Sequence, residues 1–276
     1  MSGVLVLVAT PIGNLADLSP RAVDELGAAD VVACEDTRRT GRLLSHAGVA
    51  ARRLVTVNDH TEAGRIPELL DHLSRGERVA VVTDAGTPGI SDPGERLVRA
   101  AVRGGHAVEV VPGPSAFVAA LVASGLPTGR FVFEGFLPRK GSSRAGRLDE
   151  LAAERRTIVL YEAPHRLERT LADLAAALGP DRRVRDRPRG SAKLHEEVWH
   201  GRLGEAVTWV GGAPPRRDRV LVVDGAPPPR DATDDEVRDA LGAALERGES
   251  RRDAAASVAA ALGVPKRRAY DLVTGL

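Results

Sequence analysis

The sequence predicts an α/β protein: a two-part core whose N-terminal sheet is mostly parallel, followed by a small helical domain of helix-turn-helix type. Three observations lead there. The first third of the chain alternates short β-branched runs with helical stretches, a second α/β region follows, and the residues beyond 231 carry helix-start signals without any strand-like run.

The strands of the first third are expected at residues 4–9, 31–34, 54–57, 79–83 and 108–111, the spacing of a βαβ chain. Helix starts support this, because Ser19-Pro20 supplies a capping hydroxyl with Pro at the first helical position, and Ser115 can cap the apolar helical run that follows it. Further strands are expected near 131–134, 157–162 and 219–223, with a helix over 165–178 stopped by Gly179-Pro180. The GAPPPR stretch at 225–230 reads as a linker, so the expected domains are 1–115, 116–225 and 231–276. Beyond it, Thr233 to Glu236 spells a capping box, and Val237, Leu241 and Leu245 share one helix face. Ser250 and Asp253 repeat the cap. Gly263-Val264-Pro265 then makes a tight turn into a last helix bearing Ala269, Tyr270 and Val273. Such a helix pair binds nucleic acid in some proteins and is a plain packing unit in others.

Composition narrows the class. At about 150 residues per domain, 276 residues suffice for two cores. The 43% hydrophobic and 28% charged content is ordinary for a globular chain, and no apolar run approaches the ~20 residues that span a bilayer, so no membrane partner is expected. The apolar stretch near the N-terminus lacks a basic flank, which predicts a cytoplasmic location. The single cysteine, Cys34, has no companions with metal-ligand spacing, so no metal is expected. Net charge is +1 overall but −3 over residues 1–129 and +6 over 130–217, a basic middle that invites an anionic partner.

Ligands of open α/β sheets bind at the carboxyl ends of strands. Here the successive strand ends read TPIGN (10–14), EDTRRT (35–40), NDHTE (58–62), DAGTPGISDPG (84–94) and PGPS (112–115). Neither the G-x-G-x-x-G nor the G-x-x-x-x-G-K-[ST] phosphate fingerprint is present. What remains is a set of Gly- and Pro-rich turns that bring bare backbone close to a ligand. Any one of them is ordinary strand-to-helix chemistry, whereas all five together point to a site.

The stretches VATPIGNLADLSPRA, CEDTRRTGRLL, NDHTE, VTDAGTPGISDPG, VPGPSA, FEGFLPRK, YEAPHRL and KLHEEVW, in order from Val4 to Trp199, resemble the ribosomal RNA small subunit methyltransferase I family. That family belongs to the tetrapyrrole-methylase-like, class III, S-adenosylmethionine-dependent methyltransferases, and the tail from Thr233 is similar to its C-terminal helical domain. The resemblance implies a tetrapyrrole-methylase-like core with the cofactor, S-adenosyl-L-methionine, between its halves. It also implies a homodimer, and 2′-O-methylation of a decoding-centre cytidine of 16S rRNA, free or in the small ribosomal subunit. The chain departs from the family pattern at 187–193, RPRGSAK in place of a segment like ARELTK, and at 216–219, RRDR in place of a GEF-like segment.

By the same resemblance the cofactor lies against Pro11, Asp84, Gly86, Thr87, Ile90, Ser91, Ser115, Ala116 and Tyr161, with Ile90 and Ala116 equally readable as core. A ribose hydroxyl is a weak nucleophile, so a base or an alkoxide-stabilising charge adds about 10² to 10⁴-fold to what alignment supplies. The candidates are Glu35, Asp36, Asp59, His60, Glu162, His165, Lys193 and Glu196, with Glu162, His165 and Lys193 preferred and Glu162 alternatively pairing with Arg166 at a helix start. Arg38, Arg39, Arg42, Arg166, Lys193, Lys266, Arg267 and Arg268 are candidates for RNA phosphates, joined by Arg182, Arg183, Arg185, Arg187 and Arg189, since residues 182–193 hold six basic side chains with only Asp186 as counter-charge. A solvated charged face is the alternative for the run, and pairing with acids of the first terminal helix is the alternative for Lys266 to Arg268. Two other functions stay open on the residues alone: a methylase of the same fold acting on a tetrapyrrole or other small molecule, and a ligand-sensing nucleic-acid-binding regulator.

Overall fold

A strand covered by helices on both faces needs an unbroken apolar run, and β1 (Val4–Val8) supplies one in VLVLV. In the computed structural model, which describes residues 3–188, 198–212, 217–228 and 232–275, β1 lies inside the first sheet. A 3₁₀ turn (Leu15–Asp17) and α1 (Pro20–Ala28) follow, then β2 (Val31–Cys34), α2 (Thr37–His46), β3 (Leu54–Thr56), α3 (Glu62–Ser74), β4 (Arg78–Val82), α4 (Glu95–Arg103) and β5 (Ala107–Val111). The strands pair in the order β3-β2-β4-β1-β5, all parallel, as the βαβ rhythm requires. One face buries Leu5, Leu69, Leu73 and Leu97, the other Val6, Val8, Leu26 and Val32. Each fully buried aliphatic side chain contributes about 1.5–3 kcal/mol. Ser19 caps α1 as expected, its Oγ accepting from Ala22 N–H at 3.1 Å.

The second sheet is mixed. It is built from α5 (Ala116–Ala123), β6 (Phe131–Phe136), α6 (Ser142–Ala153), β7 (Thr157–Glu162), a 3₁₀ turn (Pro164–Arg166), α7 (Leu167–Leu178), β8 (Arg183–Pro188), β9 (Trp199–Arg202), α8 (Leu203–Gly212) and β10 (Arg219–Val223). Its order is β6-β7-β10-β8-β9, with only β6 and β7 parallel. On one face α5 contributes Ala116, Ala120 and Leu121, and Ile12 from the loop after β1 joins them, so the first sheet's strand ends are packed onto the second sheet.

The basic run expected to meet phosphates is a strand over residues 183–188, and Arg182, Arg183 and Arg185 have partners within the protein, Arg183 while staying exposed. Arg183 pairs with Asp224 at 2.6 Å, Arg182 donates to the carbonyls of Asp224 and Ala152, and Arg185 donates to those of Ser124 and Gly201. Asp186 faces inward, 0% exposed, against Arg219 of β10 at 2.7 Å, and burial pushes its carboxyl above the usual range. Arg189 lies outside the described residues.

By chain contacts the protein divides into two units, Met1–Ala226 and Pro227–Leu276, the break falling in the GAPPPR stretch. The second unit holds α9 (Asp234–Glu246), α10 (Arg251–Leu262) and α11 (Lys266–Val273). Thr233 and Glu236 form the expected capping box, Ser250 caps α10, and Gly263 turns the chain at φ 64° in the left-handed region. Val237, Leu241, Ala254, Val258, Ala269 and Val273 fill its own small core. Among the described residues no helix is long and apolar enough to cross a membrane.

Candidate active site

The strand ends of the first sheet converge on Gly86. Its N–H and carbonyl bond reciprocally to Thr10, at 3.1 and 2.9 Å, tying the loop after β4 to the loop after β1. The Thr10 hydroxyl, itself buried, donates to the Thr83 carbonyl at 3.1 Å. Gly86 sits at φ +92°, and a Cβ there would touch Ile12 Cγ2 at 3.6 Å and the Pro114 carbonyl at 3.9 Å. Three loops therefore close on a position only glycine fills without strain. The far end of the β4 loop is fastened by Glu62, whose Oε1 accepts from the N–H groups of Gly94 and Leu97 at 3.1 Å, a cap for α4 supplied from another helix.

Several openings adjoin this knot, and two of them hold most of the expected residues. A narrow crevice is lined by Gly86, Thr87, Ile90, Ser115, Ala116 and Tyr161, which brings together six of the nine expected cofactor residues. Ser115 stands at the N-cap of α5 but, contrary to expectation, makes no side-chain capping bond, which leaves its hydroxyl uncommitted to the helix. Ala116 is also a core residue at 7% exposure, while Ile90 is 38% exposed. On the other side, a cavity of about 320 Å³ is lined by Pro11, Arg39, Thr40, Arg42, Thr83 and Asp84. Ser91 stands apart, at φ 56° with its Oγ over Gly135, whose missing Cβ makes the room.

The electrostatics of the 320 Å³ cavity come from the start of α2. Asp36 accepts from the N–H groups of Arg38 and Arg39, which holds its carboxyl below the usual range. Arg39 then reaches across to Asp84, Nη1 to Oδ2 at 2.8 Å, while remaining 60% exposed. Burial pushes the Asp84 carboxyl up, and the neighbouring Arg39 opposes that shift. Among the described residues, Asp84 Oδ1 and Thr83 Oγ1 are buried with no hydrogen-bond partner, as is Asp186 Oδ2 in the second sheet, and the first two adjoin the cavity, where a ligand can supply a donor.

The expected catalytic and RNA-binding residues separate. Glu162 is corrected: it is 0% exposed, its Oε2 accepting from Thr170 Oγ1 at 2.6 Å and its Oε1 from Ala163 N–H at 2.8 Å, so it cannot touch a substrate. Arg166 is corrected with it. Its Nε lies 3.2 Å from Glu162 and its Nη2 donates to the Leu137 carbonyl at 2.7 Å, leaving 19% of the side chain exposed. His165 is exposed on the 3₁₀ turn after β7, and Lys193 lies outside the described residues. Arg38 and Arg42 are exposed, Arg42 at the cavity rim. In the helical unit Lys266 and Arg267 are exposed, but Arg268 is held by Asp234 at 2.7 Å and by the Ala232 carbonyl at 2.7 Å, the alternative the first terminal helix offered.

Sequence reasoning missed Arg144, which is 4% exposed and bonds Asp173, the Pro138 carbonyl and Thr170. The signal was available: Arg144, Leu148 and Leu151 share the i, i+4, i+7 face of α6, and an arginine in an apolar stripe is a buried arginine.

A parallel sheet whose glycine-rich strand ends close against a second, mixed sheet defines a class, and residues 4–207 match the model of that class: the chain belongs to the Tetrapyrrole (Corrin/Porphyrin) Methylases. Within the class, its relatives are proteins named ribosomal RNA small subunit methyltransferase I. The one from Synechocystis sp. is 44% identical over 98% of this chain and 97% of its own length, and the one from Mycobacterium bovis is 45% identical over 99% and 95%. Among solved structures, uroporphyrin-III-C-methyltransferase from Thermus thermophilus is 27% identical with a TM-score of 0.57, covering 80% of this chain and 94% of that one.

Proposed function

We propose that this protein uses S-adenosyl-L-methionine to methylate the ribose 2′-hydroxyl of a decoding-centre cytidine in 16S rRNA. One observation carries the choice of RNA over a porphyrinoid. The tetrapyrrole methylase match ends at residue 207, whereas the relatives named for ribosomal RNA align over 97–99% of the chain in the first five cases, taking in the helical unit.

The residues present fit the cofactor. Orphaned Thr83 Oγ1 and Asp84 Oδ1 suit a ligand rich in N–H and O–H donors, and the glycine knot at Gly86 leaves backbone bare beside apolar Pro11 and Ile90. We assign Pro11, Asp84, Gly86, Thr87, Ile90, Ser115, Ala116 and Tyr161 to holding it, with Ser91 setting the loop. When bound, the group supplies a sulfonium-activated methyl. The chain's own work is alignment, worth up to ~10⁵ to 10⁸ M in effective concentration, and handling of the hydroxyl proton by His165 or Lys193. Arg38, Arg39, Arg42, Lys193, Lys266 and Arg267 meet RNA phosphates. The protein acts in the cytoplasm and as a homodimer, the latter supported by the exposed apolar side chains Val110, Val118, Val122 and Phe131 on β5, α5 and β6.

The test is transfer of tritiated methyl to unmodified small subunits and to naked 16S rRNA, followed by mapping. One labelled cytidine whose 3′ linkage resists alkali is the expected result. Label on a base, or on a tetrapyrrole instead of RNA, overturns the reading.

A further inference from the structure

The FEGFLPRK stretch has entered the site so far only through Gly135, yet two arginines, one of them buried, are committed to its backbone. β6 and β7 are parallel, and Phe136 is in register with Tyr161, a residue of the crevice. The segments 137–141 and 162–166 therefore leave the sheet side by side at its ligand-binding edge.

Buried groups fix the first of these segments from behind. The Leu137 carbonyl accepts from Arg166 Nη2 at 2.7 Å and the Pro138 carbonyl from Arg144 Nη1 at 2.9 Å. The two arginines are linked through Thr170, which accepts from Arg144 Nη2 at 2.9 Å and donates to Glu162 at 2.6 Å, and Glu162 holds Arg166. Burying two guanidiniums and a carboxylate carries a desolvation cost, and hydrophobic residues of like volume would often stabilise an edge as well. What this chain does instead is fix two consecutive carbonyls, and with them the direction of the next two residues. Those are Arg139 and Lys140. Both are exposed, and among the described residues neither side chain makes an ion pair or a hydrogen bond.

We propose that Arg139 and Lys140 form a preset clamp for phosphates of the RNA backbone, aimed by the buried Arg144–Thr170–Glu162–Arg166 chain. The clamp rests on the RNA-methylating function proposed above. Holding the loop rigid beforehand removes much of the ordering cost that binding otherwise meets, and a phosphate accepts from both arginine and lysine. It also gives Glu162 and Arg166 their place: they are positioning residues.

The test compares the full-length protein with Arg139→Ala/Lys140→Ala in binding unmodified small ribosomal subunits, from about 50 to 200 mM salt. The log–log slope should fall by about 0.7 to 0.9 for each lost contact, with cofactor affinity and melting temperature unchanged. Arg139→Lys should restore most of the slope lost in Arg139→Ala. Arg144→Lys keeps its charge but loses the fork, and should lower the slope although the tip is intact; a merely structural role would lower the melting temperature alone. A double variant with the wild-type slope overturns the clamp while leaving RNA methylation standing. Failure of the wild type itself to bind or methylate subunits overturns both.

Discussion

Replacing Glu162 separates catalysis from architecture. Glu162→Ala removes the acceptor used by Thr170, Ala163 and Arg166, and takes the carboxylate from an arginine whose side chain is only 19% exposed. Breaking a buried charged network by deleting one partner costs about 3–5 kcal/mol. For a unit the size of Met1–Ala226, each kcal/mol moves the melting midpoint by about 2–4 °C, so the expected fall is roughly 6–20 °C. Glu162→Gln keeps one oxygen and should lose less, about 1–3 kcal/mol. Circular dichroism melts give the first quantity. Single-turnover methyl transfer well below the midpoint gives the second. A general base would cost about 10² to 10⁴-fold in rate. An unchanged midpoint combined with a rate loss of that size would refute the structural role and return Glu162 to the chemistry.

Gly86→Ala, at φ +92° with its Cβ directed at Ile12 and Pro114, should cost about 1–2 kcal/mol in stability and weaken cofactor binding in calorimetry; unchanged affinity would remove this knot from the site. Glu154 is held down at about 2 from its ordinary 4.5, chiefly by hydrogen bonds from Arg156. A depressed carboxyl adds stability above its unfolded pKa, lost as pH falls from about 4.5 toward 2, so Glu154→Gln should flatten the acid limb of a pH–stability curve, by a small amount because the pair is solvated. Arg268→Ala should loosen the helical unit, read as faster hydrogen exchange in α9 and α11, whereas Lys266→Ala/Arg267→Ala should leave exchange alone and weaken subunit binding.

Local chemistry was legible where it decides the outcome. The caps at Ser19, Thr233 and Ser250 depend on neighbours within three residues, and the strands Thr157–Glu162 and Arg219–Val223 are continuous β-rich runs. The Gly86 turn is of the same kind, since a left-handed φ is a property of one residue. β8 was not legible: Arg183–Pro188 reads as a charge run until Arg219, from a strand far along the chain, neutralises Asp186. Glu162 and Arg166 failed for the same reason. Their adjacency was visible, but their burial depends on Thr170 and on a carbonyl of the segment after β6, which no local pattern encodes.

The strand order of the first sheet bears on how the chain is made. β1 ends at Val8 but lies between β4, which begins at Arg78, and β5, which begins at Ala107. At roughly 5 to 20 residues per second, an apolar VLVLV segment waits seconds outside the ribosome before either neighbour exists. β2 and β3 can pair in the meantime, but the centre of the sheet stays open on both sides. Non-local parallel pairing of this sort is slow and exposes strand edges to other chains. The apolar centre of the sheet is therefore unpaired until the chain has been made to β5, and slowing translation over the first 111 residues lengthens that exposure.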